Sequence, residues 1–230
     1  MYKTLNIAHR GFTKEAPDNT VEAFYAAIKL KIDGIECDVQ ETADHRFVIF
    51  HDNELAGKNI NYLPWAEIRK VKIAEHYQIP ALEEVLNLCH NRIKVMLELK
   101  QVESLDLFLE TMNTVMKPDE LFITSFNVNL VKELADFAPQ IQRGILTGSV
   151  NNDPLTLMEE TKARIILPRM AFTDAELIRK LHAHGYSVIV WDCNNVLDLR
   201  TALDWETDGI ITDSSAVLAL EMANRKRLEK

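Results

Sequence analysis

No stretch of this sequence stays apolar for anything near the ~20 residues a membrane-spanning helix requires, which excludes an integral membrane segment. Cysteine is scarce: Cys37, Cys89 and Cys193 are odd in number and far apart. That excludes a disulfide framework and zinc-ligand spacing. Positive charge is short as well, with 26 Lys and Arg against 35 Asp and Glu and a net charge of −9. Electrostatically driven binding to nucleic acid or to an anionic membrane is therefore excluded as a main role. Seven glycines and seven prolines in 230 residues are too few for a flexible linker and sit mainly between the elements read below. The first residues lack the apolar core of a signal peptide. A cytoplasmic protein with reduced thiols is expected.

What is present is a regular alternation. Short apolar runs occur at 4–9, 34–39, 93–100, 121–126, 141–146, 163–167, 186–192 and 208–213. Amphipathic stretches occupy 20–31, 82–90, 104–116, 127–137, 153–161, 174–184, 195–204 and 214–226. In the first of these, Asn19 and Glu22 are spaced as a capping-box start. Eight strand–helix units predict an α/β fold, a (β/α)₈ TIM barrel, which typically needs about 250 residues. The alternative is an open doubly wound sheet, weakened by the missing Gly-rich turn after the first strand. Residues 1–230 read as one domain. A ninth run, FVIFH at 47–51, follows the second strand too closely for a parallel crossover and must form a β-hairpin with it. With the turn centred on Asp44 and His45, residue 38 would face residue 51.

Barrel active sites lie at the C-terminal ends of the strands. There the sequence places His9-Arg10, then Glu36 and Asp38 on one face of the second strand. It adds His51-Asp52 on the hairpin, Glu98 and Lys100 on one face of the third barrel strand, Trp191-Asp192 and Thr212-Asp213. Singly, each has an ordinary explanation: a solvent-facing carboxylate, a turn, a structural ion pair, a core tryptophan. Their convergence at one end of one barrel does not. Buried charges cost several kcal/mol each unless paired or metal-bound. The oxygen-only set Glu36, Asp38 and Glu98 suits one hard divalent cation, Mg²⁺ or Ca²⁺. Arg10 and Lys100 are the residue types that hold phosphate. Two histidines, His9 and His51, could share general acid and base work. Together these residues point to metal-assisted cleavage of a phosphate ester.

The motifs resemble those of the glycerophosphodiester phosphodiesterases. They are HRG at 9–11, APDNT at 16–20, IECDV at 35–39, TAD at 42–44 and HD at 51–52. IPALEEV follows at 79–85, ELK at 98–100, SF at 125–126, then Trp191 and DGIITD at 208–213. The resemblance implies a barrel that hydrolyses glycerophosphodiesters to glycerol 3-phosphate and an alcohol with a divalent cation. It implies Glu36, Asp38 and Glu98 as metal ligands and His9 and His51 as the acid–base pair; we read His51 as the acid for the leaving alcohol and His9 as the base, an order the sequence leaves open. Arg10, Lys100 and Trp191 would bind the phosphate and substrate.

Four departures stand out. HDNELAGKNINYLPW lacks the Arg-Thr-Thr that often follows His-Asp, in a short 53–78 insertion expected above the barrel. Trp-Asp-Cys-Asn at 191–194 replaces Trp-Thr-Val-Asn; Asp18 replaces Glu; and Ser214-Ser215 replaces a frequent proline. Two alternatives stay open: a related phosphodiesterase acting on another head group or a lysophospholipid, and a non-catalytic phosphate-ligand binder. The expected partner is a small-molecule phosphodiester. The sequence leaves open whether the chain forms a homo-oligomer.

Overall fold

The computed structural model describes residues 4–148 and 153–228. The chain begins with β1 (Leu5–His9), α1 (Val21–Lys29), β2 (Gly34–Glu41) and β3 (Phe47–Ile49). Next come β4 (Glu54–Leu55), β5 (Lys58–Asn59), α2 (Trp65–Ile68), β6 (Lys72–Ile73), β7 (Tyr77–Gln78) and α3 (Leu82–Cys89). The middle holds β8 (Lys94–Gln101), α4 (Leu105–Asn113), β9 (Leu121–Ser125), α5 (Val128–Phe137), β10 (Gln142–Thr147) and α6 (Pro154–Thr161). The last part is β11 (Ile165–Pro168), α7 (Ala175–Ala183), β12 (Ser187–Trp191), α8 (Val196–Asp204), β13 (Gly209–Thr212) and α9 (Ser215–Leu228).

Among the described residues, eight parallel strands pair in the order β1, β2, β8, β9, β10, β11, β12, β13. The last returns to the first through Leu5↔Gly209 to Ala8↔Thr212. This closure removes the open-sheet alternative. It is a (β/α)₈ barrel.

Period-two alternation sorts the side chains. Outward-facing Ile35, Cys37 and Val39 of β2, with Val95, Leu97 and Leu99 of β8, pack against the helices in one large core cluster. Ile7, Met96, Phe122, Leu146, Leu167, Ile189 and Ile211 fill the barrel interior. Each such aliphatic side chain contributes about 1.5–3 kcal/mol on full burial. The polar partners in the alternation, Glu36, Asp38, Gln40, Glu98 and Lys100, are thereby turned inward above this plug.

Two readings from sequence need correction. The hairpin pairs Val39↔Ile49 and Glu41↔Phe47, so residue 38 faces residue 50 and not residue 51. The reason is a five-residue loop with Asp44 at its centre and His45 in the left-handed region (φ 56°). Asp44 accepts from Thr42 Oγ1 (2.6 Å) and from the Trp65 amide (2.8 Å), which ties the turn to the insertion. The second correction concerns α1, whose N-cap is Thr20, accepting from the Ala23 amide, and not Asn19.

The insertion is a small folded unit. Leu55, Ile60, Leu63, Ile68 and Ile79 bury around Val48 of β3. Gly11, the third residue of HRG, needs to be glycine: its φ is +90°, and a Cβ would lie 2.8 Å from the backbone of Ala23.

Glu41 ends β2 and anchors the start of α4. It accepts from the Glu103 and Ser104 amides (2.7 and 2.8 Å) and from the His45 ring (2.6 Å). Burial alone would raise its pKa, but these bonds outweigh it and hold the carboxyl below its ordinary value. The stabilisation is thus complete above the unfolded carboxylate pKa of about 4.3 and is lost as pH falls through the lower folded value. Glu41→Ala should cost about 1–3 kcal/mol at pH 7 and progressively less below pH 4 in urea titrations followed by circular dichroism.

Candidate active site

The pairing register sets the site. His9 lies beside Glu36 across β1 and β2, and Asp38 lies beside Glu98 across β2 and β8. Parallel neighbours point to the same face, so four chemistry-bearing side chains meet at the C-terminal mouth. A cavity of about 250 Å³ there is lined by His9, Arg10, Glu36, His51, Glu98, Lys100 and Trp191 above an apolar floor. Asp38 completes a group with Glu36 and Glu98 whose carboxylate oxygens lie within 4.8 Å of one another. All eight residues singled out from the sequence are brought together.

The carboxylates differ in their partners. Asp38 takes most of the positive charge: Lys100 Nζ at 3.1 Å, Arg10 Nε at 3.1 Å and the Asn19 side-chain amide at 2.7 Å. Burial would raise its pKa, yet Lys100 and Arg10 hold it below the ordinary value. Glu98 shares Lys100, but burial and the Asp38 charge leave its pKa raised. Glu36 fares worst. Its Oε2 accepts from the Arg10 amide at 3.1 Å, and its buried Oε1 has no hydrogen-bond partner. Burial, then the Asp38 charge, push its pKa up to about 8.

Ionised together, the three carboxylates would leave one negative charge unbalanced by Arg10 and Lys100 in a buried place, which is why Glu36 holds its proton so strongly when no cation is bound. An uncompensated buried charge costs several kcal/mol. The orphaned Oε1, the oxygen-only donors and the charge surplus all fit a hard divalent cation.

Each histidine is oriented by a carboxylate. His9 Nδ1 lies 2.9 Å from Asp213 Oδ1, and Nε2 lies 4.0 Å from Glu36 Oε2. A carboxylate only accepts, so the proton sits on Nδ1 and Nε2 keeps its lone pair. Burial alone would lower the His9 pKa, but the Asp213 bond and the Glu36 charge turn the net direction upward. The His9 bond conversely lowers Asp213. On the hairpin, Asp52 Oδ1 lies 2.8 Å from His51 Nδ1, a contact to one ring nitrogen. Trp191 donates to Leu167 O and meets Phe126 edge to face at 5.7 Å between centroids.

Sequence reasoning missed three polar side chains. Asn19, in the left-handed region (φ 56°), holds Asp38 from both sides, donating to its carboxylate and accepting from its amide. Asn194 donates to Asp213 at 2.9 Å and accepts from the Asp213 amide. Both lie inside motifs already quoted, APDNT and Trp-Asp-Cys-Asn, which were the available signal. Gln40 carried no such signal. Asp192, whose role the sequence left open, is bound by Arg169 at 2.7 Å and by Asn194.

A family model for the glycerophosphoryl diester phosphodiesterase family matches residues 9–217. The chain belongs to that family. The family is one of hydrolases, and the chain resembles its relatives along nearly their whole length. A glycerophosphodiester phosphodiesterase from Caldanaerobacter subterraneus is 28% identical over 234 residues, covering 94% of this chain and 96% of the relative. The crystal structure of a glycerophosphodiester phosphodiesterase from Parabacteroides distasonis superposes with a TM-score of 0.88 at 21% identity, over 97% and 100% of the two chains. A phosphodiesterase from Oleispira antarctica, solved in complex with the product sn-glycerol-3-phosphate, gives 0.87 at 23% identity, over 94% and 96%.

The unequal partnering of the carboxylates has a measurable consequence. Glu36→Gln keeps an acceptor for the Arg10 amide and removes a poorly tolerated charge. Without divalent cation the variant should melt no lower than the parent, yet calorimetric titration should detect no Mg²⁺ or Ca²⁺ binding. Unchanged cation affinity would remove Glu36 from the cation site.

Proposed function

We propose that this protein hydrolyses glycerophosphodiesters to glycerol 3-phosphate and an alcohol, with Glu36, Asp38 and Glu98 holding one Mg²⁺ or Ca²⁺ and His9 and His51 sharing the proton transfers. The observation that carries the reading is the pair of carboxylate-oriented imidazoles flanking a three-carboxylate cluster with Arg10 and Lys100 in one cavity. Membership of the family gives the substrate class. Residues 53–78 are taken as part of a single domain, because their small core includes Val48 of the barrel hairpin. The buried, free thiols of Cys37, Cys89 and Cys193 fit a reducing cytoplasm.

Lys100 and Arg10 seat the phosphoryl oxygens, one as a point charge and one as a planar fork. A bound cation would supply electrostatic stabilisation of the charge that grows on those oxygens. His9 Nε2, with Asp213 holding its other nitrogen protonated, takes the proton from the hydroxyl next to the phosphate on the substrate's own glycerol. That oxygen bonds to phosphorus while the bond to the alcohol breaks, and His51 gives the departing oxygen its proton. Water then opens the cyclic phosphate with the roles reversed: His51 accepts the water's proton and His9 returns one to the glycerol hydroxyl. The net change is diester plus water to glycerol 3-phosphate plus alcohol. Each proton transfer is worth about 10²–10⁴ in rate.

A second reading concerns the glycerol side of the substrate. An apolar depression of about 360 Å³, lined by Leu157, Phe172 and Leu177 among others, shares Phe126 and Leu146 with the site cavity. It favours a substrate whose glycerol carries an apolar acyl tail, as in a lysophospholipid.

Release of glycerol 3-phosphate from glycerophosphocholine and glycerophosphoethanolamine should require Mg²⁺ or Ca²⁺ and stop in EDTA. His51→Ala should slow it by about 10²–10⁴ with cation binding intact. Choline release from lysophosphatidylcholine but not from glycerophosphocholine would select the second reading. No release from any of them, with the cation bound, would leave the phosphate-ligand binder.

A further inference from the structure

The antiparallel ladder between β2 and β3 ends at Val39↔Ile49, with one further bond from the Phe50 amide to Asp38 O at 2.9 Å. His51 and Asp52 lie beyond it. The next two bonds come from a side chain. Gln40, on β2 two residues after Asp38 and fully buried, donates through Nε2 to Phe50 O at 2.9 Å and to Asp52 O at 2.6 Å. Those carbonyls stand on either side of His51. The amide orientation is set by chemistry, since an oxygen turned that way would confront two carbonyl oxygens. Its own Oε1 is left buried without a partner. A side chain that spends both donor hydrogens on the carbonyls flanking one histidine fixes the backbone that carries it, and Asp52 then fixes the ring.

We propose that Gln40 is the positioning residue for His51: its amide clamps the chain on both sides of the histidine and holds the imidazole at the departing oxygen. This rests on the reading of His51 as the proton donor. A purely structural role for Gln40 would lower stability and slow all substrates alike. A positioning role slows the release of the alcohol only where the leaving oxygen needs a proton; the later opening of the cyclic phosphate, in which His51 serves as base, is common to all substrates.

The test compares glycerophosphocholine, whose alcohol leaves poorly, with the p-nitrophenyl ester of glycerol 3-phosphate, whose phenolate leaves without a proton. Release of choline or p-nitrophenol in the first, single turnover is followed at saturating Mg²⁺ with the parent, Gln40→Met and His51→Ala. Gln40→Met should slow first-turnover release from glycerophosphocholine about 10–100-fold with the half-saturating concentration changed less than about 3-fold, while first-turnover release from the aryl ester slows less than about 3-fold. His51→Ala should show the same selectivity more strongly. Equal losses on both substrates in Gln40→Met, or none, beside a selective His51→Ala, would overturn the role of Gln40 and leave that of His51. No selectivity in His51→Ala would overturn the proton-donor reading and this inference with it. Should Gln40→Met and Gln40→Leu both fail to fold, backbone ¹⁵N relaxation of the parent decides. An order parameter near 0.85 at His51 is expected, and one below about 0.6 marks a loose segment that nothing clamps.

Discussion

Crowding of three carboxylates against two fixed cations in a closed barrel mouth is the constraint on which the surrounding structure depends. Asp38, sitting between Lys100, Arg10 and Asn19, is satisfied at the expense of its neighbours. Glu36 keeps a buried oxygen with nothing to bind. Such an arrangement survives only on a scaffold that cannot relax away from it. The parallel ladder supplies that scaffold, because its register forces His9 beside Glu36 and Asp38 beside Glu98. The outward residues of the same strands are locked into the helix-facing core. Strain at the mouth and order in the wall are two sides of one alternation.

A second layer of polar side chains turns this charged cluster into a directional site. Asp213 and Asp52 each take one nitrogen of a histidine, and Asn194 in turn holds Asp213. Both oriented rings line the cavity. Left-handed backbone recurs at Arg10, Asn19 and Asp192, where the chain leaves a strand or enters a helix. These residues sit where side chains must be re-aimed within one or two positions. A non-glycine residue adopts that conformation at a cost which the surrounding bonds must offset.

Much of this was legible in the sequence, and the reasons differ by residue. The barrel strands declared themselves because each is a short apolar run with a polar residue at its end. The alternation in IECDV and LELK placed Glu36, Asp38, Glu98 and Lys100 on one face without any knowledge of partners. The hairpin register slipped by one because the count assumed an even loop, and nothing in TADHR reveals that His45 turns left-handed. The α1 cap was misplaced because Asn19 and Thr20 are both good caps, and Asn19 is drawn away by Asp38, 19 residues later. Gln40 was invisible for a related reason: its meaning lies in two backbone carbonyls, which have no letter in a sequence.

The closure of the barrel gives the site an order of assembly. β1 is the seam of the structure, paired on one side with β2 and on the other with β13. The first barrel strand in chain order is therefore completed by the last. His9 meets the carboxylate that orients it only when Asp213, 204 residues later, has emerged and docked. Carboxylate cluster and hairpin histidine lie within residues 36–98, yet the His9 ring opposite them lacks its Asp213 partner until the ring shuts. A chain that stops short of β13 thus carries most of the site's chemical groups but lacks the carboxylate that orients His9.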